Sequence, residues 1–245
     1  MSTQLHAGTS GFAYPAWKPA FYPEKTPQRL FLNHYASRLN SVEINYTFRR
    51  TAKPETFEKW VAQTPEGFLF SVKAHQRITH FKRLQEEADE PTDFFLNSLA
   101  PLRDAGRLGV VLFQLPPNLK KDLPRLERFL GRLTQGLRYA FEFRNESWLE
   151  DDVFQLLQSH NVCLCQAESD VLEAPKAVTA DFVYLRLRKT EYAEADRDEI
   201  WAGAEAILSG GKSVFLYFKH EDTPEGALYA EDMLRRAAAR QATSQ

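Results

Sequence analysis

The feature that most constrains this chain is a strand-like run that returns eight times, with helical patterns between the returns. The runs read as Leu5 to Thr9, Ser41 to Asn45, Gly67 to Lys73, Leu108 to Gln114, Arg138 to Phe143, Val162 to Gln166, Phe182 to Leu187 and Ser213 to Phe218. Between them the apolar spacing changes to the helical period, from about Thr26 to Arg38, Lys53 to Trp60, Pro91 to Arg103, Asp122 to Leu133, Glu150 to His160, Asp196 to Leu208 and Pro224 to Arg240. Thr26-Pro27 reads as a helix start and Gly210-Gly211 as a stop. The stretch 167–181 holds Pro175 and no clean period, so a short helix at most is expected there. Alternating strand and helix imply a parallel sheet. Eight such units in 245 residues predict an α/β fold of TIM-barrel type, a (β/α)8 barrel in a single domain spanning residues 1–245. An open doubly wound sheet is the alternative. Against it, Gly8-Thr9-Ser10-Gly11 lacks the dinucleotide-binding spacing and no helix follows it directly.

Composition narrows the class of function. A formal net charge of -2 exerts no global pull toward nucleic acid or an anionic membrane. The apolar runs are short, as in Val110-Val111-Leu112-Phe113, and the N-terminus has neither the basic start nor the apolar run of a signal peptide. The two cysteines, Cys163 and Cys165, are alternate residues of one strand, which suits buried free thiols rather than a disulfide framework or a zinc site. A cytoplasmic protein with no membrane partner is the expectation.

In a (β/α)8 barrel the chemistry gathers at the C-terminal ends of the strands. Side-chain alternation decides which residues face the interior there. It turns Val42, Ile44, Phe70, Val72, Phe141, Phe143, Leu185, Leu187, Leu216 and Phe218 toward the helices. It turns Glu43, Asn45, Ser71, Lys73, Glu142, Arg144, Tyr184, Arg186, Tyr217 and Lys219 inward, and Gln114 closes the fourth strand. Charge is costly to bury unless it is paired or used, so six polar strand ends of matching parity predict a site. The bland alternative is a set of interior ion pairs that plug the barrel.

The inward carboxylates are Glu43 and Glu142; the inward cations are Lys73, Arg144, Arg186 and Lys219, with Arg188 close by. Cations outnumber carboxylates although the whole chain is slightly acidic. Tyr14, Trp17, Tyr46, Phe48 and Trp148 add planar faces near the same rim. Together they suggest a small anionic substrate with a ring. His80 lies in the loop after the third strand, where it suits acid–base work or a phosphate contact; His220, just after the eighth strand, is a further candidate, and His75 a weaker one. No metal-ligand motif is present and no cofactor is implied, although Glu43 and Glu142 leave a divalent metal open.

The same residues resemble the DUF72, or YecE-like, family. The matching pieces are Gly8-Thr9-Ser10-Gly11 with Tyr14 and Trp17, Phe21-Tyr22-Pro23, Val42-Glu43-Ile44-Asn45-Tyr46-Thr47-Phe48, Phe70-Ser71-Val72-Lys73-Ala74, Thr79-His80, Leu112-Phe113-Gln114-Leu115-Pro116-Pro117, Glu142-Phe143-Arg144-Asn145-Glu146-Ser147-Trp148 and Tyr184-Leu185-Arg186-Leu187. The resemblance implies a TIM-barrel-like fold and no established reaction. Where similar proteins continue with His-Gly this chain has Arg188-Lys189, and where they have Asn-Asn-Asp it has Lys219-His220-Glu221.

The expected function is an enzyme of hydrolase or isomerase type acting on a phosphorylated sugar, nucleotide or similar anion. Glu43, Glu142, Lys73 and His80 are the candidate catalytic groups; Asn45, Tyr46, Gln114, Arg144, Trp148, Arg186, Tyr14 and Lys219 are the candidate binding groups. A non-catalytic binder of nucleotide or nucleic acid is the alternative. For an eight-stranded barrel, Glu43 and Glu142 should stand about 14 Å apart at Cα and about 6 Å apart at the carboxyls, with room for a substrate bond between them.

Overall fold

The computed structural model describes residues 3–168, 172, 174–219 and 222–243. Its eight strands are β1 (Leu5–Thr9), β2 (Ser41–Ile44), β3 (Leu69–Lys73), β4 (Leu108–Gln114), β5 (Arg138–Glu142), β6 (Cys163–Ala167), β7 (Phe182–Leu187) and β8 (Ser213–Phe218). All pairings are parallel, in the order β1-β8-β7-β6-β5-β4-β3-β2. The helices are α1 (Phe31–Arg38), α2 (Pro54–Gln63), α3 (Asp89–Ser98), α4 (Ala100–Asp104), α5 (Leu123–Arg132), α6 (Asp151–Ser159), α7 (Glu194–Ser209) and α8 (Glu225–Thr243). This is the TIM-barrel-like α/β fold expected from the strand count.

Alternation builds two cores. Val42, Val72, Phe113, Phe141, Leu164 and Leu216 pack outward under the helices. Val110, Leu112, Ala140, Cys163, Cys165, Phe182, Tyr184, Phe215 and Tyr217 fill the barrel. Both thiols are free and buried, and burial pushes the Cys163 thiol up to about 12. Inside, the Tyr217 hydroxyl meets Ser41 Oγ at 2.6 Å and Ser71 Oγ at 2.8 Å.

The seam between β1 and β2 is closed mostly by side chains. One backbone bridge, Ser10 with Glu43, joins them, and Gly11 N–H donates to the Glu43 carbonyl at 2.9 Å. Below it, the Tyr35 hydroxyl of α1 accepts from Thr9 N–H at 2.8 Å and reaches the Ser41 carbonyl at 3.0 Å. Asn40 accepts from Ala7 N–H at 2.9 Å and donates to the Leu5 carbonyl at 2.8 Å. The Tyr35 hydroxyl and the Asn40 amide satisfy backbone groups that a wider gap would leave bare. Gly8 permits the approach: a β-carbon there would lie 1.9 Å from the Ser41 carbonyl oxygen.

Local differences from the sequence reading have identifiable causes. The single helix expected from Pro91 to Arg103 is divided at Leu99, because Pro101 offers no N–H and crowds the preceding turn. The polar loop after β3 contains a π-helical turn, Arg77–Phe81, followed by Arg83 and Leu84 at φ 49° and 60°. Gly67, at φ 86°, turns the chain before β3 rather than starting it. The described residues between β6 and β7 form no helix.

Candidate functional site

The site is built around Arg186, which β7 directs inward. Its Nη2 bonds Glu43 Oε1 at 2.8 Å and its Nη1 bonds Glu142 Oε2. Those carboxylates come from β2 and β5, so one guanidinium ties three strands across the barrel. Glu43 is 0%, Glu142 2% and Arg186 3% exposed.

Both carboxylates are fully engaged. Glu43 Oε1 also accepts from Ser10 Oγ at 2.6 Å and Asn45 Nδ2 at 3.0 Å, and Oε2 accepts from the Tyr184 hydroxyl at 2.6 Å. Glu142 Oε1 accepts from Gln114 Nε2 at 2.7 Å and Arg144 Nε at 2.9 Å, with Arg188 Nη2 at 3.5 Å. Burial pushes both acids up, but the Arg186 charge, helped by these donors, outweighs it and holds each down to about 2. Burial and the neighbouring Glu43 charge push the Tyr184 hydroxyl well up, so it stays neutral and donates. This corrects the expected open gap: the space between Glu43 and Glu142 is occupied by the Arg186 guanidinium. A divalent ion held by this pair would have to displace it, and no group of three or more His, Cys, Asp or Glu among the described residues could hold a metal.

Lys73 closes the third strand differently. Its Nζ donates to Gln114 Oε1 at 2.7 Å and lies 4.2 Å from the centre of the Phe48 ring. Burial and the Arg186 charge bring its ammonium down to about 8. His80, in the π-helical turn, bonds Thr79 Oγ1 through Nδ1 at 2.9 Å and sits edge-on to Phe48 at 4.8 Å. Burial, then the Lys73 and Arg144 charges, lower its pKa, which keeps the ring neutral near neutral pH.

Lys73, Gln114, Glu142, Arg144, Arg186, Glu43 and Asn45 thus form one connected cluster. Tyr46 is 42% exposed on the rim, edge-on to Trp60. Tyr14 sits over the end of β1, donating to the Ser10 carbonyl at 2.9 Å. Lys219 is exposed just past β8, and His220 and Glu221 lie outside the described residues. Trp148 is a correction to the rim of aromatic faces: it is buried against Phe143 at 4.9 Å and donates to the Leu119 carbonyl at 2.8 Å. Trp17 is buried likewise. Ser10, on Glu43, was not among the sequence candidates; Tyr184 was placed inward by its parity with Arg186, but no role on Glu43 was assigned to it.

A TIM-barrel-like α/β protein with a charged cluster at the C-terminal ends of its strands is the class these observations define. The chain matches the family described as Protein of unknown function DUF72 over residues 6–245, and it belongs to that family. It is 33% identical over 157 residues to UPF0759 protein YunF of Bacillus subtilis, covering 59% of this chain and 56% of that protein. It is 36% identical over 115 residues to UPF0759 protein YecE of Escherichia coli strain K12, covering 46% of this chain and 41% of that protein. The matched stretches thus span about half the length of these relatives. A crystal structure of a DUF72 family protein from Thermotoga maritima MSB8 superposes with a TM-score of 0.83 at 23% identity, covering 96% of this chain and 99% of that one. That likeness shows the shared fold.

Proposed function

We propose that the barrel mouth binds a small anionic metabolite, a phosphorylated sugar or nucleotide-like compound, and acts on it as an enzyme of hydrolase or isomerase type. The observation that carries this reading is the charge balance of the cluster. The side chains of Arg144, Arg186 and Arg188 pair only with Glu43 and Glu142 among the described residues, and Lys73 adds a fourth cation beside Gln114, so these six side chains carry a formal surplus of two positive charges; Glu168 meets Arg188 only at its backbone N–H. Arg186 is consumed in holding the carboxylates. Arg144 commits only Nε, and its side chain is 41% exposed, which leaves its fork for an oxyanion. The carboxylates then act by fixing the cations, and proton transfer falls to Lys73 and neutral His80. Calorimetric titration with inorganic phosphate tests the reading: saturable binding is expected, weakened about tenfold or more by Arg144→Gln. Absence of phosphate binding by the unaltered protein would overturn it.

A second reading, a nucleic-acid binder, has its own support. The loops after β2 and β3 carry Arg49, Arg50, Lys53, Arg77, Lys82 and Arg83 with no acidic residue from 44 to 54 or from 67 to 85. Exposed Tyr46 and Phe81 lie in the same loops and offer stacking faces. Anisotropy of a labelled single-stranded oligonucleotide separates the readings: this one requires affinity that falls steeply with salt and is reduced by Arg49→Gln with Arg50→Gln.

A further inference from the structure

We propose that Lys73 is an imine-forming lysine, whose amine condenses with the carbonyl of an aldehyde or ketone that also carries a phosphate or carboxylate. The inference rests on the anionic-metabolite reading above and names the reacting group of that substrate.

Three features of the Lys73 environment point this way. First, the amine has no carboxylate. Gln114 stands between it and Glu142, its Oε1 accepting from Lys73 and its Nε2 donating to Glu142 Oε1, each at 2.7 Å. A neutral amide thus holds off the ion pair that a purely structural lysine would make, and Lys73 enters no ion pair among the described residues. Second, the amine lies over the Phe48 ring and near the guanidinium groups gathered on Glu142. The ring face favours the ammonium, but partial burial and the neighbouring Arg186 and Arg144 charges outweigh it and favour the unprotonated amine, and these conditions activate lysine toward carbonyls. Its depressed pKa, about 8, agrees. Third, Lys73 is partly exposed at the mouth, unlike the sealed Arg186. Arg144 and Arg188, whose side chains are 41% and 20% exposed, lie on the Glu142 side of Gln114, placed to take the anionic group.

The chemistry balances without an oxidant or reductant. The Lys73 nitrogen pair forms a bond to the carbonyl carbon and the C=O π pair moves to oxygen, which takes up the proton released from nitrogen. The carbinolamine then loses its oxygen as water, with a proton from solvent, and the C=N bond forms. The resulting iminium draws electrons from the adjacent carbon, which eases proton loss there and fits an isomerase-type reaction.

Pyridoxal 5′-phosphate, an aldehyde bearing a phosphate, is the probe, with sodium cyanoborohydride to reduce any imine and peptide mass mapping to locate it. The expected result is one reduced adduct per chain on Lys73, formed at least about tenfold faster than with unphosphorylated pyridoxal. Inorganic phosphate should slow it. Lys73→Arg, which keeps the positive charge, should abolish the adduct while leaving the thermal melt in place. Calorimetric phosphate binding without an adduct on Lys73 would overturn the imine and leave the anion site standing. Labelling of Lys73 that phosphate neither slows nor accelerates would overturn the anionic carbonyl class. Failure of both phosphate binding and labelling would remove both readings.

Discussion

Arg186 and Glu43 form a 2.8 Å ion pair, with both side chains withdrawn from solvent, between strands that are not neighbours. Glu142, on a third strand, takes the other end of the same guanidinium. The barrel mouth is therefore braced from inside by one cation and two anions. A buried charge that loses its partner is costly, whereas the intact set need not add net stability. The brace fixes where Gln114 and Arg144 stand, and through Gln114 where Lys73 stands.

Replacing the brace is the first test. Arg186→Met keeps much of the volume but leaves buried Glu43 without a cation and Glu142 with only Arg144 and Arg188 on its Oε1. Stability should fall by about 3–5 kcal/mol, measured as a lower urea midpoint. An unchanged midpoint would mean that solvent already reaches the pair.

Acid should act through the same groups. Glu43 and Glu142 are each held down to about 2 in the fold, against roughly 4.3 in an unfolded chain. With the folded value below the unfolded one, the unfolded state binds more protons in that interval. The stabilisation is complete above about pH 4.3 and drains away as pH falls toward the folded value. A urea midpoint followed from neutral pH downward should show this loss. Glu142→Gln should be less stable at neutral pH but show a shallower fall, by about one proton.

Lys73 should titrate apart from the surface lysines. Competitive acetylation across pH, read by peptide mass, should give it a midpoint near 8, while exposed lysines follow about 10.4. Gln114→Leu removes the Lys73 and Glu142 contacts together and should shift that midpoint. An ordinary lysine profile at this position would show that the amine is fully hydrated.

The seam makes a prediction independent of function. Tyr35→Phe removes the hydroxyl that serves Thr9 N–H and the Ser41 carbonyl. A buried backbone donor would lose its partner, at a cost of about 1–3 kcal/mol. Hydrogen exchange at the Thr9 amide should quicken more than in the β7–β8 ladder, whose register is unbroken. Equal protection in both places would show that β1 and β2 pair without the tyrosine.

Much of this arrangement was legible in the chain itself. Eight returns of strand-like pattern predicted the strand number, and simple alternation placed Glu43, Lys73, Glu142 and Arg186 on the interior while sending Val42, Phe141 and Leu185 outward. Trp148 shows where pattern misleads: beside a charged strand end it reads as a rim aromatic, yet it is packed against Phe143. Proximity in sequence says nothing about which face a short helical turn presents.

What the sequence determined alone is parity and class: period 2 is a property of one strand's backbone, so each residue's side of the sheet follows from its own position. What only the tertiary structure decided is partnership. Glu43, Glu142 and Arg186 meet through barrel closure and shear, which depend on all eight strands at once. Whether two carboxylates stand open or grip a guanidinium turns on a cation from a third strand. The division of Gln114 between Lys73 and Glu142, and the tyrosine that closes the β1–β2 seam, are set the same way, by what the closed barrel brings across its interior.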